Sequence, residues 1–118
     1  MRIDFRNNCI VYNNENWLHK KRTPLSTNFS EIEVLMDGRI LVLEYDYKFQ
    51  HQNLSNLYCL DRELEIDWFL PLPHPNFKDD FYVGFTSNGE KIFANTWYCF
   101  RVEVETETGS IKNVEFTK

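Results

Sequence analysis

Apolar and polar residues alternate over several short stretches of the chain, and polar turns separate these stretches. A period of two is typical of β-strands, because successive side chains point to opposite faces of a sheet. Residues 31–36 alternate in this way, whereas residues 39–45 are almost continuously apolar, which predicts a strand buried on both faces. Asp37 and Gly38 lie between these two segments and form a strong hairpin signal. No helical periodicity is sustained, so we predict almost no α-helix.

The rest of the chain predicts further strands that are joined by polar turns. Asn88 and Gly89 form a second hairpin signal, and three prolines at positions 71, 73 and 75 end the strand before them. The polar segment 46–55 is the longest candidate loop. The predicted strands cover residues 56–61, 66–70, 81–85, 90–95, 98–105 and 111–116. The pattern of strand, turn and strand occurs twice in each half, so the chain predicts two repeated four-stranded antiparallel units in one all-β domain, residues 1–118.

One part of this repeat resembles a known architecture. The segment Asn56-Leu-Tyr-Cys-Leu-Asp61, followed by Ile66-Asp-Trp68, resembles the outer two strands of a β-propeller blade. The resemblance covers about Ile32 to Phe116 in two units, and residues 3–10 are similar to the outer hairpin of a third, incomplete unit. A closed propeller needs at least about four blades, so the resemblance implies a partial propeller. A β-sandwich is the alternative.

Composition fits a globular domain of ordinary size. The 118 residues are 42% hydrophobic and 16% aromatic, and aromatic residues favour a pleated, half-buried surface. The first residues lack the apolar run of a secretory signal, and no stretch is long and apolar enough to cross a membrane. The cysteines Cys9, Cys59 and Cys99 are odd in number and far apart, so we expect small buried hydrophobes in a cytoplasmic protein rather than a disulfide framework.

Charge and motifs narrow the function classes. The formal charge is −5, whereas a phosphate-binding surface needs a net basic face, so we expect no nucleic-acid partner. The basic run of residues 19–22 is interpreted as a solvated loop. His19, His51 and His74 fall in predicted loops and lack metal-ligand spacing. With no nucleophile motif and no Gly-rich phosphate loop, we expect no metal, no cofactor and no enzymatic activity.

The acidic residues recur at every second position in two places. Asp61, Glu63, Glu65 and Asp67 form the first group, and Glu103 and Glu105 alternate with Val102 and Val104 in the second. We expect Glu103 and Glu105 to face solvent while the two valines pack inward. These acids could form a strip that binds a partner, a charged edge that prevents strand-to-strand aggregation, or carboxylate pairs for acid–base hydrolysis.

Several aromatic residues occur in or beside polar segments. Tyr47, Phe49, Phe77 and Trp97 have this setting, and Asp79 and Asp80 follow Phe77 closely. Exposed tyrosine, tryptophan and phenylalanine side chains are enriched in protein–protein interfaces. We therefore interpret the aromatic residues, together with the two groups of acids, as candidate partner-binding residues.

These features favour a binding protein. The chain is similar in general character to bacterial immunity proteins, which are small, acidic and free of cofactors, and which cover the active site of a toxin that is often a basic nuclease. That resemblance implies a basic protein partner, whose capture electrostatic attraction would accelerate. A structural or scaffolding β-module within a larger assembly is the first alternative, and a hydrolase that uses the acidic cluster is the second. The sequence leaves the oligomeric state open.

Overall fold

The computed structural model describes residues 2–13, 19–45, 55–74, 76–77, 79–88 and 90–117. Within these ranges every regular element is a β-strand, so the all-β class is confirmed. No described element is a helix with the length and apolarity that crossing a membrane requires. The strands are β1 (Arg2–Arg6), β2 (Cys9–Asn13), β3 (His19–Arg22), β4 (Phe29–Val34), β5 (Ile40–Glu44), β6 (Leu57–Leu60), β7 (Ile66–Phe69), β8 (Tyr82–Ser87), β9 (Ile92–Thr96), β10 (Phe100–Glu105) and β11 (Ser110–Phe116).

The described strands form three antiparallel sheets, and in each sheet every strand pairs with the next one along the chain. The N-terminal sheet contains β1 to β3, the central sheet β4 to β7, and the C-terminal sheet β8 to β11. The central and C-terminal sheets are the two four-stranded units that the repeat predicts. The predicted hairpin at the start of the chain is also present as β1 and β2, with β3 added to its second strand.

Turn chemistry explains where the hairpins reverse. Gly38 adopts a positive φ of 92° in the turn between β4 and β5, and its N–H donates to the carbonyl of Leu35 at 3.0 Å. At the turn between β8 and β9, the N–H of Asn88 donates to the carbonyl of Lys91 at 3.1 Å, and the Asn88 side chain accepts the N–H of Lys91. Both predicted hairpin positions are therefore correct, although Gly89 itself lies outside the described residues.

The basic run of residues 19–22 is not the solvated loop that the sequence predicts. It forms strand β3, in which Lys20 lies opposite Tyr12 and Arg22 opposite Ile10. The strand is an edge of the N-terminal sheet, where charged residues are common because they discourage further strand pairing. Arg22 also donates from Nε to the carbonyl of Leu64 at 2.9 Å, which ties this edge to the central sheet.

The central sheet has an apolar core on each face, so the three sheets stack in layers. Strand β5 is buried along its whole length, as predicted for residues 39–45. Its residues Leu41 and Leu43 join the core against the C-terminal sheet. Ile40 and Val42, on the opposite face, join the core against the N-terminal sheet. The result is a sandwich-like stack in which the two fully buried strands β5 and β6 each supply residues to both cores.

Two polar contacts fix the C-terminal sheet against the central one. At one end of the interface, the side-chain amide of Asn56 donates to the carbonyls of Glu44 and Tyr82, and its oxygen accepts the N–H of Tyr82 at 3.0 Å. At the other end, Nε1 of Trp68 donates to the carbonyl of Thr106 at 2.9 Å. Because the polar groups in these contacts are paired, their hydrogen bonds offset the cost of burying them while they fix the register between the sheets.

Candidate protein-binding surface

The turn between β9 and β10 presents two aromatic side chains to solvent. Trp97 and Tyr98 occupy its centre, and Cys99 closes it with a positive φ of 71°. The N–H of Cys99 donates to the carbonyl of Thr96 at 3.1 Å, and the N–H of Phe100 donates to the Thr96 hydroxyl. A left-handed conformation costs a non-glycine residue roughly 1–2 kcal/mol. The turn therefore holds a strained backbone conformation at Cys99, two residues after the exposed Trp97.

Rings from three chain segments meet at this turn. The Phe81 ring stacks on Trp97, with centroids 5.6 Å apart and planes 13° apart. Phe77 lies 5.3 Å from Tyr98, between centroids. We call this group the aromatic patch, and it consists of His74, Phe77, Phe81, Trp97, Tyr98, Phe100 and Phe116.

Part of the aromatic patch is open to solvent. Trp97 is 63% exposed, Phe116 61% and Phe77 40%. Phe100 and Phe116 lie opposite each other on β10 and β11, with ring centroids 5.6 Å apart, so the sheet itself holds one side of the patch. Neighbouring exposed rings on a rigid support are typical of an interaction surface, since they bury much apolar area at a small cost in side-chain entropy.

Two carboxylates border the aromatic patch. The Tyr98 hydroxyl donates to Oδ2 of Asp79 at 2.8 Å, and this hydrogen bond raises the pKa of Tyr98. Asp80 is only 6% exposed, and its Oδ1 accepts the N–H groups of Phe81 and Tyr98 at 2.9 and 3.0 Å. The other oxygen of Asp80 is buried and accepts no hydrogen bond from the described residues. The patch is therefore apolar at its centre and negative at its border.

The structure brings together four of the residues that the sequence put forward as a binding surface. Phe77, Asp79, Asp80 and Trp97 all belong to the aromatic patch or its border. The other two aromatic candidates, Tyr47 and Phe49, lie outside the described residues. Sequence reasoning did not select Phe100 and Phe116. The available signal was that Phe100 lies near the start of the predicted strand 98–105 and Phe116 at the end of the predicted strand 111–116. Antiparallel pairing places the start of one strand beside the end of the next.

The first acidic group does not form one strip. Asp61 caps the turn after β6, where its Oδ1 accepts the N–H groups of Glu63 and Glu65. Leu64 adopts a positive φ of 66° in the same turn and is buried, so the chain does not continue as an extended strand here. A period of two would place Asp61 to Asp67 on one face of a continuous strand. The turn interrupts the strand, so the four acids do not share a face.

Basic side chains neutralise most of this group. Glu63 forms an ion pair with Lys20 at 3.2 Å, and Glu65 forms one with Arg22 at 3.5 Å. These two acids face the N-terminal sheet. Asp67 instead lies near the C-terminal sheet, 3.4 Å from Arg39.

The second acidic group has the orientation that the sequence predicts. Val102 and Val104 are buried in the core, while Glu103 and Glu105 lie half-buried on the opposite, outer face of β10. Glu105 forms an ion pair with Lys112 at 3.3 Å, and the N–H of Glu107 donates to it, which together lower the pKa of Glu105. The charge of this face is thus partly balanced by its own bases.

Sequence reasoning missed the fully buried carboxylate of Glu44. This side chain at the end of β5 accepts the N–H groups of Leu25, Ser26 and Thr27 at 2.7, 3.1 and 2.9 Å. The hydroxyls of Thr27 and Tyr58 also donate to it. Glu44 thereby fixes the connection between β3 and β4. Its signal in the sequence was a charged residue at the end of an otherwise apolar strand.

Other candidate chemistry is limited in the described ranges. Across these residues, no three His, Cys, Asp or Glu side chains are grouped so that they could hold a metal ion. Cys59 is buried in the core, as predicted, while Cys9 and Cys99 are half-buried. Burial raises the pKa of the Cys59 thiol to about 12.

The fold and this surface define an all-β protein of stacked antiparallel meanders that exposes an aromatic patch with an acidic border. The chain belongs to DUF7957, a domain of unknown function whose family model matches residues 7–116. Neither the curated proteins nor the solved structures contain a significant match to it.

Proposed function

We propose that this chain is a binding protein whose aromatic patch docks on a basic protein partner and neutralises it by covering its active site. The single observation that carries this proposal is the exposed stack of Trp97 on Phe81, which lies beside Asp79 and Asp80. A rigid aromatic anchor surrounded by polar groups is the usual form of an energetic hot spot.

The charge of the partner follows from the border of the patch. Asp79 and Asp80 add negative charge beside the exposed rings, and the whole chain carries a formal charge of −5. Arginine and lysine side chains on a partner would pair with the exposed carboxylate of Asp79 and stack on the rings, while the buried Asp80 would act only through its nearby charge. Separated charges of opposite sign also accelerate encounter, so a basic partner would be captured quickly at low salt.

Among basic partners, a nuclease toxin fits best. The similarity to immunity proteins in size, charge and lack of a recognisable catalytic motif supports this choice. A nuclease active site is basic because it binds phosphates, and an acidic, aromatic surface is complementary to it in both charge and apolar character.

The scaffolding alternative has a specific structural requirement. In a partial propeller that continues into a larger assembly, a further sheet would stack on the outer face of the C-terminal sheet. That face carries Arg101, Glu103 and Glu115, with Arg101 lying over the Phe93 ring at 4.3 Å. Charged side chains on this face disfavour an apolar sheet-to-sheet contact, so the observations favour the binding protein.

The hydrolase alternative uses the acidic cluster. Glu63 and Glu65 face the N-terminal sheet, whereas Asp67 lies near the C-terminal sheet. This separation favours structural ion pairs over a pair of carboxylates acting on one bond.

The proposal is tested with the protein product of the adjacent reading frame, because the resemblance to immunity proteins implies that a toxin is encoded beside its inhibitor. The chain is co-expressed with that product, and the nuclease activity of the purified product is measured with and without the chain. We expect stoichiometric inhibition by the wild-type chain and loss of inhibition with Trp97→Ala. Inhibition that is equally strong with Trp97→Ala would show that the aromatic patch does not mediate the inhibition.

A further inference from the structure

A cavity lies at the end of the C-terminal sheet opposite to the aromatic patch. It has a volume of about 410 Å³, which is within the range of small-ligand sites. The turn between β4 and β5 forms one wall, and the ends of β8, β9 and β10 form the other. The lining residues are Glu33, Val34, Leu35, Met36, Asp37, Arg39, Ser87, Glu90, Ile92 and Thr106.

Glu33 lines this cavity, and one of its carboxylate oxygens is buried behind the wall without a hydrogen-bond partner among the described residues. On β4 it lies opposite Leu41, so it faces the C-terminal sheet. Its Oε2 is buried and accepts no hydrogen bond from the described part of the chain. Glu31 lies two residues earlier on the same face, and its Oε2 accepts the N–H of Phe85 at 3.3 Å. The two neighbouring acids therefore differ in one respect: Glu31 has a protein donor and the Oε2 of Glu33 has none.

The cation already in the cavity wall is committed elsewhere. Arg39 donates from Nε to Asp37 at 2.8 Å, and its Nη1 donates to Asp67 and to the carbonyl of Thr106. Within the described ranges, Glu33 and Glu90 form no ion pair. A buried carboxylate oxygen without a donor is costly, and rotation of the Glu33 carboxylate toward a cationic ligand in the cavity would remove this cost.

We propose that this cavity binds an alkylammonium group, with the nitrogen at Glu33 and the alkyl chain along Val34, Leu35 and Ile92. Aliphatic walls suit a methylene chain, and one unpaired acceptor suits the compact point charge of an ammonium. A guanidinium is less well matched, because it prefers bidentate acceptors and aromatic faces to stack on. Glu90, which is exposed at the rim, adds attraction for the same charge.

Two sources could supply this group, namely a lysine side chain of a protein and a free alkylamine. The inference is independent of the proposed function, because the cavity and the aromatic patch lie at opposite ends of the C-terminal sheet. The amide resonances of the isotope-labelled full chain are followed while Nα-acetyl-lysine methylamide or 1,5-diaminopentane is added. Nα-acetyl-norleucine methylamide is the uncharged control ligand, since it keeps an aliphatic side chain without the amine.

We expect saturable shifts confined to residues 33–39 and 87–92 with at least one of the two amines. The amine that binds more tightly identifies the source. Glu33→Gln should weaken binding about tenfold, which corresponds to about 1.4 kcal/mol. Glu63→Gln changes the net charge equally but lies on the side of the N-terminal sheet, so it should leave binding unchanged. Glu90→Gln, at an exposed position that does not affect folding, should weaken binding about threefold.

Three results would overturn the inference. They are equal binding of the norleucine derivative, the absence of saturable shifts with both amines, and unchanged binding in Glu33→Gln.

Discussion

Gly109 lies directly against the indole of Trp68, and a Cβ added to Gly109 would come within 2.5 Å of Cδ2 of that ring. Gly109 belongs to the turn between β10 and β11, and Trp68 belongs to β7. The C-terminal sheet therefore closes over the central sheet through a contact that only glycine permits. Gly109 also has a positive φ of 74°, so both its backbone conformation and its surroundings require a residue without a side chain.

The first prediction concerns this contact. Gly109→Ala should lower the free energy of unfolding by about 2 kcal/mol or more, because the left-handed conformation and the clash with Trp68 both add a cost. Urea denaturation followed by tryptophan fluorescence measures it. Gly84→Ala is a matched control, since its φ is not positive and the nearest atom to an added Cβ lies 3.6 Å away. Equal losses in the two variants would contradict the role assigned to Gly109.

The second prediction concerns Glu44. Glu44→Gln replaces one acceptor oxygen by a donor that faces the N–H groups of residues 25–27, and it also removes charge-assisted hydrogen bonds. We expect a loss of about 3 kcal/mol in the free energy of unfolding. Glu63→Gln, at an exposed ion pair, should change stability by about 0.5 kcal/mol or less. Chemical denaturation of both variants measures the two losses, and a loss below about 1 kcal/mol in Glu44→Gln would contradict the buried network.

The third prediction concerns pH and the Cys59 thiol. Burial raises its pKa from 9.0 to about 12, so folding favours the protonated thiol. The contribution to stability is complete below pH 9 and is lost as pH rises from 9 toward 12. We expect iodoacetamide to leave Cys59 unmodified in the native protein at pH 8 and to modify it after unfolding. Peptide mass mapping tests this, and rapid native modification of Cys59 would contradict its burial.

The fourth prediction concerns the outer face of β10. Replacing both Glu103 and Glu105 by Lys should slow association with a basic partner at low salt, because separated charges act mainly on the encounter rate. Stability should change little, since the ion pair of Glu105 with Lys112 is near the surface. Stopped-flow mixing at two salt concentrations measures the rate. An unchanged rate at low salt would show that these acids do not contribute to partner binding. They cannot protect a sheet edge either, because β10 is paired on both sides, with β9 and β11.

The strand pattern of this chain was readable from the sequence because its information is local. The continuous apolar run of β5 predicts a strand buried on both faces, and Asp37-Gly38 predicts the turn before it. Alternation along β10 correctly separates the buried valines from the outward acids. In each case the signal lies within a few residues of the feature that it predicts.

The errors of sequence reasoning arose where distant segments decide the outcome. The basic residues 19–22 form β3 because β2 offers them backbone partners and Glu63 and Glu65 offer charge. The turn between Asp61 and Ile66 was predicted correctly, but the pairing of Glu63 and Glu65 with the distant strand β3 was not. Periodicity describes one strand and does not report such contacts.

Only part of the candidate binding surface could be predicted from the sequence, because the rest depends on contacts between distant segments. Phe77 and Trp97 were recognisable as aromatic residues beside polar loops, but only the fold shows that Phe81 stacks on Trp97. The propeller resemblance and the immunity resemblance stay predictions.

The central claim is that the aromatic patch anchors a basic partner. The most direct measurement is the dissociation rate of the partner from the wild-type chain and from Trp97→Ala, measured by surface plasmon resonance. Phe5→Ala is the matched control, because Phe5 is also an exposed aromatic residue but lies on the N-terminal sheet. If Trp97 is a docked anchor, its replacement by Ala should weaken binding by about 2 kcal/mol or more, roughly thirtyfold. Almost all of this loss should come from faster dissociation. Dissociation that is unchanged in Trp97→Ala, or accelerated equally in Phe5→Ala, would contradict the claim.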